Sequence, residues 1–173
     1  MAKYNYSRKG LKGLTPFPFL GEVKTRLKAI EAAPDTMPRS IYNANILAAK
    51  LVERGVRVRM YDTSVTPASY ILSDAFRCSH LVFAATTYNA GIFVTMENLL
   101  HDIANHNLQN RRIAVMENGS WAPTSGKQMR DILSALKGCS FIGDNITLRS
   151  SLAEDQLPAL DALADAIAAE IKG

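Results

Sequence analysis

The amino-acid sequence predicts an α/β fold: a doubly wound, five-stranded parallel sheet of order 2-1-3-4-5 with helices on both faces. Three observations lead there. From about residue 40, short apolar runs alternate with stretches whose apolar residues recur at helical spacing. Two of the runs, LVFAAT (Leu81–Thr86) and RIAVM (Arg112–Met116), are almost continuously apolar, as strands buried on both faces are. The length of 173 residues, with 47% hydrophobic and 21% charged, suits one globular domain with a sizeable core.

The elements follow in chain order. Residues 1–27 read as a basic arm or linker remnant, because Gly10, Gly13, Pro16, Pro18 and Gly21 interrupt any period; the domain proper is placed at 28–173. The first strand is irregular or missing. Its candidate, Ala29 to Pro34, carries Glu31 and a proline where a central strand should be apolar. A helix over 40–54 stops at Gly55. Val56–Tyr61 is the second strand. Thr66 caps the next helix and Pro67 starts it. Leu81–Thr86 is the third strand, and the segment after it sets Ile92, Phe93, Met96, Leu99, Leu100 and Ile103 on one stripe of a helix. Arg112–Met116 is the fourth strand. The helix that follows opens on a capping box, Ser125 with Gln128, and closes at Gly138. Ser140–Leu148, longer and more polar, reads as an edge strand. The last helix opens at Ser151 with Glu154 and turns Leu157, Leu160, Leu163, Ile167 and Ile171 inward.

Charge and cysteine usage narrow the function classes. The net charge is +4, but residues 1–30 alone carry seven Lys and Arg against Glu22, a net of +6. Such an arm can touch nucleic acid or acidic partners; the plainer expectation is a solvated extension without a nucleic-acid partner. Cys78 and Cys139 stand far apart with no CxxC spacing, and are expected to be buried thiols of a reducing compartment. The sequence opens without a secretory apolar core and has no run of about 18 apolar residues, so the expectation is a cytoplasmic protein with no membrane span. His80, His101 and His106 do not share a helix face, and no metal site is expected. There is no Gly-x-Ser-x-Gly nucleophile elbow. Asp62 and Glu117 sit at strand ends and are expected to be solvated carboxylates or caps.

In a doubly wound sheet, ligands bind at the carboxyl ends of the strands, which directs attention to two loops. TTYNAGIF follows the third strand and offers hydroxyls, an aromatic ring, an Asn and a Gly. ENGSWAPTSG follows the fourth. It offers an Asn-Gly tight turn, then Ser120 and the only tryptophan, Trp121. Turn amides can bond the edge of a planar heteroaromatic ring and an aromatic side chain can cover its face. On the residues alone, Trp121 either packs on its own turn against Pro123 or stacks on a flat ligand.

ATTYNAGIF followed by ENGSWAPTSGKQM resembles the flavodoxin-like domain of the flavodiiron proteins, the A-type flavoproteins. YDTSVTPASYILSDAF and LLHDIANHNLQNRRIAVMENGSW are similar to the same family, so the resemblance spans roughly residues 43–172. It implies FMN as cofactor, with Thr86, Thr87, Tyr88, Asn89 and Gly91 on one side of the flavin ring. Asn118, Gly119, Ser120 and Trp121 lie on the other, with Trp121 as the stacking ring. In that family a loop of the type Ser/Thr-Met-aromatic-Gly-Asn/Ser-Thr grips the phosphate at a helix start. Aligned without gaps, Asp35-Thr36-Met37 keep the opening of this loop. Pro38 replaces the aromatic, Arg39 the Gly and Ile41 the Thr, while Ser40 stays polar. Pro38 removes an amide donor and Arg39 cannot take positive φ as cheaply as Gly. The phosphate-site candidates are therefore Thr36, Met37, Arg39 and Ser40, in a degenerate loop. An alternative alignment makes SIYNANILAAKL the loop and helix, with residues missing between Tyr42 and Asn43.

The His-x-Glu-x-Asp-His cluster of the family's two-iron domain does not occur in the sequence. The resemblance thus implies a redox electron carrier without its own diiron site. Its partner would be a rubredoxin-type carrier or a reductase, and a homo-oligomer is compatible with it. The alternative, favoured by the altered first loop, is a flavodoxin-like module that has lost flavin binding and serves as an interaction or assembly domain.

Overall fold

A computed structural model describes residues 39–149 and 152–173, with side chains from Asn43 onward. The chain divides into two compact units, one holding residues up to Asp62 together with Leu160–Gly173, the other Thr63–Ala159.

The larger unit is built on two parallel strands. β1 (His80–Tyr88) and β3 (Arg112–Asn118) pair in one unbroken register, from His80 opposite Arg112 to Thr86 opposite Asn118. Both outrun their sequence predictions at the carboxyl end, by two residues each. A short β2 (Gly91–Ile92) returns antiparallel against Thr87 and Tyr88. On the other side of β3 lie β4 (Ser140–Phe141) and β5 (Ile146–Leu148), both parallel to it. The sheet thus has five strands in the order β2-β1-β3-β4, with β5 also on β3.

Helix α2 (Ala68–Ala75) precedes β1, α3 (Val94–Asn105) connects β2 to β3, and α4 (Ser125–Ser134) connects β3 to β4. Met96, Leu99, Leu100 and Ile103 of α3 are buried, as the stripe predicted. They join Ile113 and Val115 of β3 and Met129 and Leu133 of α4 in one core. A fully buried aliphatic side chain of this kind contributes about 1.5–3 kcal/mol. Arg111 ties the unit together from outside: its Nε and Nη2 donate to the carbonyls of Ala75 and Phe76, at the C-terminus of α2.

The smaller unit contains α1 (Arg39–Glu53), which buries Leu47, Leu51 and Val52, and most of α5 (Leu157–Lys172), which buries Leu160, Leu163 and Ile167. Ion pairs join the two helices. Lys50 Nζ lies 2.7 Å from Asp161, and Arg54 reaches Asp161 at 3.1 Å and Asp165 at 2.6 Å. The hydrogen bond from Lys50 holds the Asp161 carboxyl below its ordinary range, and that from Arg54 does the same for Asp165.

Several expectations need correcting. The predicted edge strand Ser140–Leu148 is two strands. Three steps along β3, from Ile113 to Met116, face five on the edge, from Phe141 to Ile146. Gly143, at φ +65°, accommodates the excess, a backbone conformation cheap only for Gly. Arg130 secures this bulge by donating to the Gly143 carbonyl while its guanidinium lies 4.3 Å from the Phe141 ring centroid. Val56–Tyr61 forms no ladder among the described residues. In the predicted order its one neighbour would be the first strand, and Ala29–Pro34, like the arm at 1–27, lies outside the described residues. Ile92 and Phe93 belong to β2 and the N-cap of α3, not to the helix stripe. Pro67, not Thr66, is the N-cap of α2. Leu157 is only half-buried and Ile171 is exposed. Cys78 and Cys139 are half-buried free thiols. No described helix is long and apolar enough to cross a membrane.

Candidate functional site

The carboxyl ends of β1 and β3 lie side by side, because Thr86 pairs with Asn118. Each end carries one of the two loops singled out in the sequence.

At the first, TTYNAGIF is a hairpin, not an open loop. Thr86, Thr87 and Tyr88 continue β1, and Gly91 and Ile92 return against it. Asn89 and Ala90 make the two-residue turn at φ 49° and 58°, the left-handed pair that suits the twist of a hairpin. Asn tolerates this region; Ala does so only under strain. The Ala90 carbonyl accepts two hydrogen bonds, from Thr124 Oγ1 at 2.9 Å and Gln128 Nε2 at 2.8 Å. Tyr88, 51% exposed, meets the edge of Phe93 with ring centroids 5.8 Å apart.

The second loop differs from its prediction at both ends. Asn118 and Gly119 do not form the tight turn. Asn118 is the last residue of β3, and the Gly119 amide donates to the Leu148 carbonyl at 3.0 Å. Space at Gly119 is tight: a Cβ there would stand 3.1 Å from Pro123 Cα and 3.3 Å from Thr87 Oγ1. The turn comes at Ser120 and Trp121. Ser125 and Gln128 form no capping box, since Gln128 reaches across to Ala90 instead.

The start of α4 is capped by other strands. Thr87 Oγ1 accepts the amides of Thr124 at 3.1 Å and Ser125 at 3.2 Å, and donates to Ser125 Oγ at 3.0 Å. Ser125, wholly buried, passes its own hydrogen to Glu117 Oε2. That oxygen also accepts the Gly126 amide at 2.7 Å, and Glu117 Oε1 accepts Thr147 Oγ1 at 2.7 Å. A Cβ on Gly126 would meet the Glu117 carboxyl carbon at 2.8 Å. Glu117 is thus a buried acceptor at the positive end of a helix. It is a cap, as one of its two expected roles had it, and not a solvated group. The amides of Ser125 and Gly126 are taken by the protein's own side chains, so this helix start does not await a phosphate.

Trp121 stands in contrast. Its side chain is 95% exposed, which removes the expectation that it packs on its own turn against Pro123. Burying a ring of that size is worth about 3 kcal/mol, and this conformation forgoes it.

The sequence-predicted residues therefore divide. Tyr88, Asn89, Ser120 and Trp121 are exposed at one end of the sheet; Thr86, Thr87 and Gly91 are half-buried beside them; Asn118 and Gly119 are buried beneath. Thr36 and Met37 lie outside the described residues, and the side chains of Arg39 and Ser40, in the first turn of α1, are likewise outside them. Reasoning from the sequence missed the roles of Ala90, Phe93, Thr124 and Gln128. A carboxylate ending a buried strand nine residues before a helix-start glycine was the one available signal for the Glu117 cap. Among the described residues no group of three or more His, Cys, Asp or Glu side chains could hold a metal ion.

No family model and no curated protein matches the sequence. Solved structures do. Rubredoxin oxygen:oxidoreductase from the anaerobe Desulfovibrio gigas superposes with a TM-score of 0.73 at 19% identity, over 78% of this chain and 33% of that one. The fold is flavodoxin-like. A flavodiiron core from Synechocystis gives 0.71 at 15% identity, over 78% and 33%. A flavodoxin from Streptococcus pneumoniae gives 0.69 at 19%, over 79% and 94%. The chain thus spans a third of the two flavodiiron-type chains and matches nearly the whole of a free-standing flavodoxin.

Proposed function

We propose that this chain is an FMN-binding, flavodoxin-like electron-transfer domain. The observation that carries the proposal is the almost wholly exposed indole of Trp121, with an exposed Tyr88 on the loop of the adjoining strand, at the strand ends where this fold takes its ligands. A hydrogen-bonded base under an exposed aromatic tip fits a flat heteroaromatic ligand, because the cost of ordering the backbone that carries the tip is met before binding.

In this reading Trp121 and Tyr88 cover the faces of the isoalloxazine. Thr86, Asn89, Gly91, Asn118, Gly119 and Ser120 line its edge, with Thr87 behind them. The phosphate is assigned to residues 36–40, with Thr36, Met37, Arg39 and Ser40 as its candidates. Bound FMN supplies one- and two-electron redox chemistry; the protein's part is to hold the ring, exclude water from one face and set its electrostatic surroundings. The electron donor is a reductase or rubredoxin-type carrier.

A second reading is a flavodoxin-like module that works by protein contact without flavin. It is favoured by the sequence TMPRSI, in which Pro38 and Arg39 stand where a phosphate loop uses an amide donor and a Gly. The absorbance spectrum of the purified protein and an FMN titration separate the two. Saturable binding supports the first reading. A colourless protein indifferent to FMN supports the second.

A further inference from the structure

The hydroxyl of Thr87 has one hydrogen to give and two lone pairs to receive with. All three are in use: it donates to Ser125 Oγ and accepts the amides of Thr124 and Ser125. Nothing of it remains for a ligand, although Thr87 stands in the middle of the ligand-facing hairpin. Three residues further on, the carbonyl of strained Ala90 accepts Thr124 Oγ1 and Gln128 Nε2. Every one of these bonds crosses from the hairpin at the end of β1 to the start of α4, on which the Trp121 turn closes. Thr124 takes part on both sides, its amide on Thr87 and its hydroxyl on Ala90.

We infer that Thr87, Thr124 and Gln128 form a latch that makes the Tyr88 hairpin and the Trp121 turn one body, with Thr87 a positioning residue and not a ligand contact. This rests on the proposed flavin site for its purpose, but not for its existence. The strain at Ala90 gives the latch its meaning. An Ala in the left-handed region persists only where its surroundings hold it, and here the two donors on its own carbonyl do so. Released, the hairpin relaxes, and Tyr88 and Trp121 no longer keep a fixed spacing.

The test uses the full chain with Thr87→Val, which keeps shape and removes the hydroxyl, Thr87→Ser, which keeps the hydroxyl, and Gln128→Met, a milder release. Two quantities are read: amide hydrogen exchange without ligand, and the FMN dissociation constant. Thr87→Val is expected to speed exchange in both 88–92 and 119–126 and to weaken FMN by about tenfold or more. Thr87→Ser should restore both, and Gln128→Met should speed exchange mainly in 88–92. Trp121→Ala should weaken FMN with exchange unchanged. In Thr87→Val, faster exchange in one segment only, or weakened FMN with exchange unchanged, overturns the latch; the latter makes Thr87 a direct contact. If the wild-type chain binds no FMN, the proposed function fails, while the exchange data still decide the latch.

Discussion

Trp121 and Ser125 are four residues apart; one is 95% exposed and the other wholly buried. Between them the chain passes from a side chain with no packing to one held by Thr87 and Glu117. The same contrast holds on the neighbouring strand, where Thr87 is fully hydrogen-bonded and Tyr88 projects. The tips of these loops are apolar and open; their bases are polar and closed. Ser125 and Glu117 can be buried there, and Thr87 half-buried, because each is hydrogen-bonded. An aromatic tip left in water gives up burial energy, and that is understandable when a ligand recovers it.

The contrast predicts where substitution should be severe. Glu117→Ala removes the acceptor for the Gly126 amide and for Thr147, leaving buried donors unmatched. It should destabilise the protein by about 3 kcal/mol in urea unfolding, while Glu117→Gln, which keeps one acceptor oxygen for the Gly126 amide and can donate to Thr147 Oγ1, should cost about 1 kcal/mol. If the two variants lost equal stability, the cap would not be what holds the base. At the tip, Trp121→Ala should alter stability by no more than about 0.5 kcal/mol. A larger loss would mean that the indole packs after all.

The smallest effect belongs to the smaller unit, where the carboxylates are surface groups. Asp161 and Asp165 titrate below their ordinary range, because Lys50 and Arg54 hydrogen-bond their charged forms. A lowered folded-state pKa gives stability above the unfolded pKa of about 3.9, lost as pH falls through the folded value. Asp161→Asn and Asp165→Asn should therefore each be slightly less stable than the wild type near pH 6 and converge with it once pH falls below the lowered folded-state values. Added salt should shrink the difference. A gap that persisted in strong acid would show that the ion pairs are not its source.

The sequence disclosed what depends on local pattern. LVFAAT and RIAVM are legible as strands because both their faces are buried, and α3 because its stripe repeats at helical spacing. The loops were legible as places, since strand ends in this fold carry ligands. Their conformations were not. Nothing in NAG announces that Ala90, not Gly91, takes positive φ; that follows from Thr124 and Gln128, some 35 residues away. Thr87 reads as a ligand contact in a line of residues, and its hydrogen bonds to Thr124 and Ser125 exist only once α4 folds across it. The split of Ser140–Leu148 depends on Arg130, which one-strand reasoning does not include. Glu117 was placed correctly at a strand end, but whether a carboxylate there is solvated or capped depends on a helix start nine residues away.

In the proposed function Trp121 is the face on which the flavin rests, and the indole's own fluorescence reports on it. The chain has no other tryptophan. Titrating FMN into the protein should quench indole emission to saturation, with the same midpoint as the quenching of flavin emission. Trp121→Ala should then weaken FMN severalfold, in line with about 0.5–1.5 kcal/mol for a stacked pair. FMN that binds without quenching Trp121, and equally well to Trp121→Ala, would place the ring elsewhere and contradict the account.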